Sequence, residues 1–366
     1  MSTSNRNSES AAATAARAWR TSLPREHRRV TNLRGTWVFL LSGSIYLALF
    51  IGIFLAPTWW LCLACLAVMP MAIGAMFVIG HDAAHFALVR SFRLNRILGR
   101  LAFLPAYHPF TAWRYVHNVL HHGGTCLKQK QPDFPPLSKH EYDAFPRWRR
   151  AVYRLYRTPP GIGLCYLFDF FGRFMFMPNR RNLSPERWAF EADRLLVIAF
   201  LVLQIVVGYL LTAYTVDLFV PGLVYAIGGV IVPWLIWIYF MGVVTFVQHT
   251  HPRTVWYDDE KEWTFYHVQL TSTTHMVLPR PLGRMLHNIM DHPAHHIDPT
   301  IPLYELPASQ ELLEEQAPEH SIVVPLTLGE FLRICRLCKL YDYRQHRWLD
   351  FAGQPTTECI AFAGGR

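Results

Sequence analysis

The most prominent pattern in this chain is a set of four long runs of apolar residues, separated by polar segments. Each run approaches or exceeds the roughly 20 apolar residues that a helix needs to cross a bilayer. The runs cover Thr36 to Ala56, Trp59 to Gly80, Leu195 to Tyr214, and roughly Leu218 to Val247. The sequence therefore predicts four transmembrane helices near residues 36–56, 59–80, 195–214 and 218–247.

Short connections group the four predicted spans into two hairpins. The connections lie at residues 57–58 and at 215–217, and neither contains Lys or Arg, whereas the N-terminal tail and the segment between the hairpins are rich in arginine. Because positively charged segments remain on the cytoplasmic side, we expect both termini and the central segment to face the cytoplasm. A fifth apolar stretch, residues 161–177, contains charged residues and is interpreted as an interfacial helix.

Composition agrees with a membrane protein. The chain of 366 residues is 52% hydrophobic and only 17% charged, which excludes an extended disordered protein and a small disulfide scaffold. Its seven cysteines are an odd number scattered along the chain, and this favours reduced thiols facing the cytosol. We interpret the net charge of +9 as a topology signal and expect no nucleic-acid partner.

These patterns predict an all-α integral membrane protein with four transmembrane helices in two hairpins. A cytoplasmic helical cap would hold a histidine-rich site for two metal ions. We divide the chain into a flexible basic tail over residues 1–35, a membrane domain over 36–300 and a cytoplasmic C-terminal segment over 301–366.

The candidate chemistry lies in the 18 histidines, most of which are clustered near the ends of the predicted spans. Spacing of i and i+4 places the first pair on one face of a helix that leaves the membrane. With two hairpins, all clusters fall on one side of the bilayer and can converge. The clustered histidines are His81 and His85; His117, His121 and His122; His249 and His251; and His292, His295 and His296, preceded by His287.

Metal binding explains why so many imidazoles occur together. Charged rings near a bilayer would repel one another and lose hydration, whereas neutral imidazoles are good ligands for divalent iron, zinc, copper or nickel. The number of histidines exceeds the needs of one ion, so two ions are expected. The cytoplasmic setting and the absence of thiolate ligands favour iron, although ligand type alone does not separate iron from zinc.

Polar residues inside the clusters are candidates for hydrogen bonds to the ligating rings. These are Asp82, Asn118, Asn288, Asp291 and Asp298. Asp291 and Asp298 could equally well be ordinary helix-capping or turn residues with no contact to a ligating ring. Five isolated histidines, His27, His108, His140, His320 and His346, are not expected to be ligands. The sequence contains no P-loop, HExxH or GxSxG motif. It also lacks a complete GxGxxG motif for binding a flavin or nicotinamide cofactor, so reducing electrons would have to come from a separate protein.

The motifs HDAAH, HNVLHH, QHTHP and HNIMDHPAHH resemble those of the membrane-bound fatty acyl desaturases, specifically their omega-6 acyl-lipid branch. The resemblance covers residues 36 to 298. It implies that two ferrous ions are bound by His81, His85, His117, His121, His122, His292, His295 and His296, with His249 or His251 as a further ligand and His287 less certain. It also implies a fatty acyl substrate in the membrane and a double bond inserted with O2 and two electrons.

Two features depart from the family pattern. The second box, HNVLHH, is one residue longer than HxxHH, and Pro293 directly follows the first histidine of the third box. The C-terminal half resembles a bacterial subgroup that also contains fatty acid decarboxylases forming terminal alkenes. Decarboxylation and hydroxylation therefore remain alternatives to desaturation, and a metal transporter is a distant one.

The resemblance to a bacterial subgroup suggests the inner membrane as the location. The expected electron donor is a ferredoxin or a b-type cytochrome with its reductase. A basic cytoplasmic face would suit such an acidic protein, and a contact with lipid explains the same charges equally well.

Overall fold

The computed structural model describes residues 3–178, 185–214 and 221–360, with side chains described from residue 11 onwards. This part of the chain is mostly helical. Its α-helices are α1 (Thr3–Ser22), α2 (Asn32–Leu55), α3 (Trp59–Ala84), α4 (Phe92–Phe103), α5 (Phe110–Tyr115), α6 (Lys139–Ala144), α7 (Arg147–Tyr156), α8 (Pro159–Cys165), α9 (Arg187–Thr212), α10 (Gly222–His249), α11 (Phe265–Thr271), α12 (Arg280–Met285), α13 (His292–Ile297), α14 (Leu306–Gln316) and α15 (Leu328–Leu337).

Shorter regular segments complete the secondary structure. Two π-helical segments continue α5 and α8, at Val116–His121 and Tyr166–Phe176. The strands are β1 (Thr274–Val277), β2 (Ile322–Pro325), β3 (Leu340–Asp342) and β4 (Arg347–Leu349). β1 pairs with β2 in parallel and so joins the C-terminal region to the segment after α11, whereas β3 and β4 form an antiparallel pair within the C-terminal region.

Four helices, α2, α3, α9 and α10, are long and apolar enough to cross a membrane. They confirm the four predicted spans and identify a multi-pass membrane protein. The helices extend beyond the apolar runs, since α9 begins at Arg187 and α3 continues to Ala84. The predicted connection at residues 215–217 lies outside the described residues, and the two-hairpin arrangement stays a prediction.

The long helices pack closely where small residues face a large ring. α2 packs on α3, and α9 and α3 both pack on α10. Phe54 of α2 is fully buried between Gly208 of α9 and Gly229 of α10. A Cβ atom at either glycine would lie 2.8 Å from Cζ of Phe54, so glycine is required for this close approach, as is common between membrane helices.

The N-terminal segment packs against the cap of the protein. Ala16, Trp19 and Leu23 are buried in a cluster with residues of α11, α13 and α14. Arg28 Nε lies 2.7 Å from Oδ2 of the buried Asp298. An apolar face of α1 therefore covers part of the cap, while the division of the chain at residues 35 and 300 stays a prediction. This packing crosses both predicted domain boundaries.

Replacement of Trp19 by Ala should destabilise the protein by about 3 to 5 kcal/mol, because it removes a fully buried ring and leaves a cavity. Thermal unfolding in detergent, followed by the loss of monomer in size-exclusion chromatography, would measure this change. Trp188→Ala is the matched control, since Trp188 is 90% exposed. Equal stability of the two variants would contradict the packing of α1.

Candidate metal centre

The histidine clusters lie where the long helices end and the cap begins. His81 is in the last turn of α3 and His85 caps that helix, while His249 is the last residue of α10. α13 carries His292, His295 and His296, and Pro293 occupies its first turn. Because proline is well tolerated at that position, its place in the third box disturbs no hydrogen bond of the helix.

The additional residue of the second box is accommodated by a π-helical turn at Val116–His121. In a π-helix the backbone hydrogen bonds join residues i and i+5 instead of i and i+4, so one turn accommodates an extra residue. Such turns are frequent at functional sites. As a result Nε2 of His117 and Nε2 of His122 are 3.1 Å apart. The departure from HxxHH therefore preserves the convergence of the rings.

Nine histidines form two groups, and the ring nitrogens of each group could together hold one metal ion. The candidate ligand atoms within each group all lie within 4.8 Å of one another. Eight of these nine histidines are buried, and His85 is partly exposed. The five-histidine group contains His81, His85, His117, His122 and His295, and the four-histidine group contains His121, His249, His292 and His296.

Five rings of the two groups strongly favour the uncharged form. Burial, together with the neighbouring histidines, lowers the pKa of His117, His122 and His295 well below the usual value. The same causes lower the pKa of His292 and His296. A neutral imidazole has one nitrogen with a free lone pair, which is the form that binds a metal ion.

Gln269 of α11 determines which nitrogen of His296 has the lone pair. Its amide nitrogen donates to the carbonyl oxygen of His122 over 3.0 Å, so its amide oxygen faces Nδ1 of His296 at 2.7 Å. An amide oxygen only accepts hydrogen bonds, and Nδ1 of His296 must therefore be protonated. The lone pair is on Nε2, which lies 3.2 Å from Nε2 of His121 within the four-histidine group.

Two other members of this group are oriented in the same way. Nδ1 of His121 is 2.9 Å from Oδ1 of the buried Asp133, and Nδ1 of His249 is 3.3 Å from the carbonyl oxygen of Ser272. Burial opposes ionisation of Asp133, but His121 beside it holds the pKa of that carboxyl below its usual value. Both partners are acceptors, so the Nε2 lone pairs of both histidines are free for a metal.

The residues fit a pair of metal ions. In the four-histidine group Nε2 of His249 and Nε2 of His292 are only 2.9 Å apart. Two lone pairs at that distance repel each other, so a cation or a proton is needed between them. In the five-histidine group Nε2 of His85 is buried without a hydrogen-bond partner in the described structure. All-imidazole ligands suit iron, zinc, copper or nickel.

Two predicted ligands lie outside both groups. Nδ1 of His251 accepts a hydrogen bond from the backbone of Arg253, and its Nε2 faces Glu330 at 3.5 Å. Both ring nitrogens therefore have other partners. His287, with a positive φ of 48°, lies beside Ser42, whose Oγ is 3.2 Å from its Nε2.

The predicted polar residues differ in what they contact. Oδ2 of Asp82 accepts from the backbone of Leu303 at 2.6 Å, and its Oδ1 is 3.4 Å from Nδ1 of His81. Asn118 donates to the carbonyl of Ala84 at 3.0 Å.

The other three polar candidates bond to residues outside the two groups. The backbone N–H of Asn288 donates to the carbonyl oxygen of Gly283 at 2.8 Å, and Asp298 pairs with Arg28. Asp291 pairs with His275 at 3.1 Å. Burial lowers the pKa of His275, but Asp291 and Glu314 outweigh this effect and raise it to about 9.

Sequence reasoning missed Gln269, Asp133, Ser272 and His275. Asp133 follows a stretch without any acidic residue from 83 to 132, and this isolation next to the second box is a signal that could have been used. Gln269 and Ser272 stand in no motif, because their contacts arise only from the placement of α11 against α13 and α10.

A cavity of about 540 Å³ extends from the histidines between α3 and α10. Its inner end is lined by His81, His117, His121, His292 and Asp133. Its remaining walls are mostly apolar and include Met71, Gly74, Phe77, Trp237 and Met241. A long apolar molecule could therefore lie with one part of its chain beside both histidine groups.

Comparison with known proteins gives consistent results. The fatty acid desaturase family matches residues 57–326. An omega-6 fatty acid desaturase from chloroplasts of Spinacia oleracea is 30% identical over 88% of this chain and 68% of that protein. A Picosynechococcus sn-1 oleoyl-lipid 12-desaturase is 26% identical over 90% of both chains. A Nostoc sn-1 acyl-lipid omega-3 desaturase (ferredoxin) is 27% identical over 67% of this chain and 65% of that protein.

Replacement of Gln269 by Leu should weaken metal binding in the four-histidine group by about 10- to 100-fold, because His296 loses the acceptor that orients it. Metal content of the purified protein, titrated against a chelator, would measure this. Gln204→Leu is the control, because Gln204 is also buried but bonds Tyr107. Equal metal content in both variants would contradict the role of Gln269.

Proposed function

Because this chain is an oxidoreductase of the fatty acid desaturase family, we propose that it inserts a double bond into fatty acyl chains of membrane lipids with two iron ions. One observation carries this proposal. Two groups of histidines, each with its candidate ligand atoms within 4.8 Å of one another, border the inner end of an apolar cavity between membrane-spanning helices.

The nine grouped histidines would hold the two ions, the five-histidine group one and the four-histidine group the other. His251 and His287 are left out of this ligand set. Bound iron would supply the reduction of O2 that removes hydrogen from two neighbouring methylene groups, which no side-chain acid or base can do. Asp133, Gln269 and the Ser272 carbonyl would keep the lone pairs of three ligands directed at the metal.

The cavity would bind the acyl chain. Its volume of about 540 Å³ lies in the range of roughly 300 to 1,000 Å³ that is common for small-molecule sites. Its apolar walls would hold the methylene chain without a directional contact, and the histidines at its inner end would face a single region of that chain. Burial of this end excludes water from the reacting carbons.

A lipid-bound acyl chain is the substrate that the relatives favour. The Picosynechococcus relative is named for an oleoyl lipid and the Nostoc relative for an acyl lipid. The walls of the cavity include Tyr239, Phe240 and Leu328, of which Phe240 and Leu328 are exposed. An acyl chain of a bilayer lipid could therefore enter sideways from the membrane.

The proposed topology places the cap and both termini in the cytoplasm, with the four spans in two hairpins across a bacterial inner membrane. The connection between α2 and α3 contains no Lys or Arg, whereas α7 contains Arg147, Arg149, Arg150 and Arg154. This asymmetry supports the orientation. The donor of electrons would be a ferredoxin or a b-type cytochrome, and the name of the Nostoc relative supports ferredoxin.

Cells that express the chain should contain a new unsaturated acyl chain, and cells that express His292→Ala should not, because His292 is in the four-histidine group. Gas chromatography with mass spectrometry of total fatty acids and headspace hydrocarbons would detect it and locate the double bond. A terminal alkene or a hydroxy acid in its place would contradict desaturation and identify a decarboxylase or a hydroxylase.

Replacement of Gly74 by Leu should lower conversion at least about tenfold, because the new side chain would occupy the cavity. A Cβ atom at this position would already lie 3.0 Å from Leu286 Cδ2. Gly228→Leu is the control, since no atom lies within 4 Å of a Cβ built there. Acyl conversion per bound metal would be measured for both, and unchanged conversion by Gly74→Leu would show that the chain lies elsewhere.

A further inference from the structure

The metal centre comes closest to the protein surface at His85, which is partly exposed while the other eight grouped histidines are buried. We propose that the surface around His85 is the docking site of an acidic one-electron carrier protein. This inference rests on the proposed function and concerns where its electrons enter. We call this surface the His85 face and define it by Phe86, Arg90, Phe92, Arg93, Arg96, Arg114 and Val119.

Contacts place Phe86, Phe92 and Arg114 around the turn that follows His85, and the other arginines of the His85 face belong to that turn and to α4. The Phe86 and Phe92 rings are 5.0 Å apart, and the Arg114 guanidinium lies 5.9 Å from the centre of the Phe86 ring. The side chain of Asn118 donates to the carbonyl of Ala84 at 3.0 Å, which holds the neighbouring Val119 beside the end of α3. The His85 face is therefore formed by the turn after α3, the start of α4 and the π-helical turn.

The His85 face is strongly basic. No Asp or Glu occurs between Asp82 and Asp133, whereas arginines occur at positions 90, 93, 96, 100 and 114. Arg96 and Arg114 share the single carboxylate of Glu186, and Arg100 pairs with Asp193. Within the described structure neither Arg90 nor Arg93 forms an ion pair, although Nε of Arg90 donates to the carbonyl oxygen of Val30 at 2.8 Å. Positive charge on the His85 face therefore exceeds the negative charge that pairs with it.

Exposed apolar side chains lie within the basic surface. Phe92 is 68% exposed and Val119 is 52% exposed. A protein interface commonly combines an apolar centre with a polar rim, and complementary charge increases the rate of encounter. A small acidic protein that approaches His85 would find both features. A bare lipid headgroup would use the arginines alone.

The reaction explains why such a partner is needed. Conversion of one –CH2–CH2– unit by O2 takes up two electrons and two protons, and it releases two molecules of water. The electrons come from the reduced carrier, one per encounter, and the protons come from solvent. The segment at residues 258–262 is less suitable for an acidic carrier because it contains four acidic residues and one lysine.

The test uses the full-length protein in nanodiscs and a plant-type [2Fe–2S] ferredoxin as the acidic carrier. Biolayer interferometry at low ionic strength would measure ferredoxin binding, which does not depend on turnover. Arg93→Glu should weaken binding at least about fivefold and raise the KM for ferredoxin to the same extent, with kcat unchanged. Arg147→Glu is the control, because Arg147 is an exposed residue on the basic helix α7. Arg93→Gln should have a smaller effect in the same direction.

Salt provides a second readout. At high ionic strength the wild type and Arg93→Glu should bind ferredoxin equally weakly, because exposed charges are screened. Equal binding of wild type, Arg93→Glu and Arg147→Glu at low salt would overturn the proposal. Loss of binding to phosphatidylglycerol vesicles in Arg93→Glu, with ferredoxin binding unchanged, would also overturn it and assign the arginines to lipid.

A separate measurement distinguishes failure of docking from failure of the proposed function. Protein reduced chemically with dithionite, then exposed to O2, should form one round of product in wild type and in Arg93→Glu alike. Absence of product in both would contradict the proposed function, while the binding comparison would still decide whether ferredoxin docks on the His85 face.

Discussion

The structure depends on the convergence of histidine rings in a volume from which water is excluded. Rings packed this closely repel one another if each carries a second proton, and a ring that binds a metal must direct its one lone pair inward. Partners that can only accept hydrogen bonds achieve this for three members of the four-histidine group, namely the Gln269 amide oxygen, the Asp133 carboxylate and the Ser272 carbonyl. Much of the cap can be understood as the support for these partners.

This requirement explains why segments far apart in sequence pack together. α11 places Gln269 between the second and third histidine boxes, and α1 covers α11 and α13 from outside. Arg28 pairs with Asp298, directly after α13. The N-terminal segment therefore packs against the support of two histidine groups whose members all lie between residues 81 and 296.

The sequence alone predicts the four spans, the histidine clusters and the family, because apolar runs and short motifs are local features. The structure and the family comparison confirm these predictions. Iron, the two hairpins, the ligand set and the cytoplasmic orientation stay predictions. Gln269 and the packing of α1 could not be predicted, because they depend on which helices meet in three dimensions. His251 shows the converse limit: its motif is local, but the fold directs its ring to Glu330.

α3 and α10 have a property that follows from their length. Each is a continuous helix that both crosses the apolar layer and carries a histidine of the metal centre, His81 and His249 respectively, at its end. Membrane helices tilt when the thickness of the bilayer differs from their own apolar length. A change in tilt would move these two imidazoles relative to those on α13 and the π-helical turn. Bilayer thickness would therefore affect the distances between the histidines at the ends of the long helices and those of the cap.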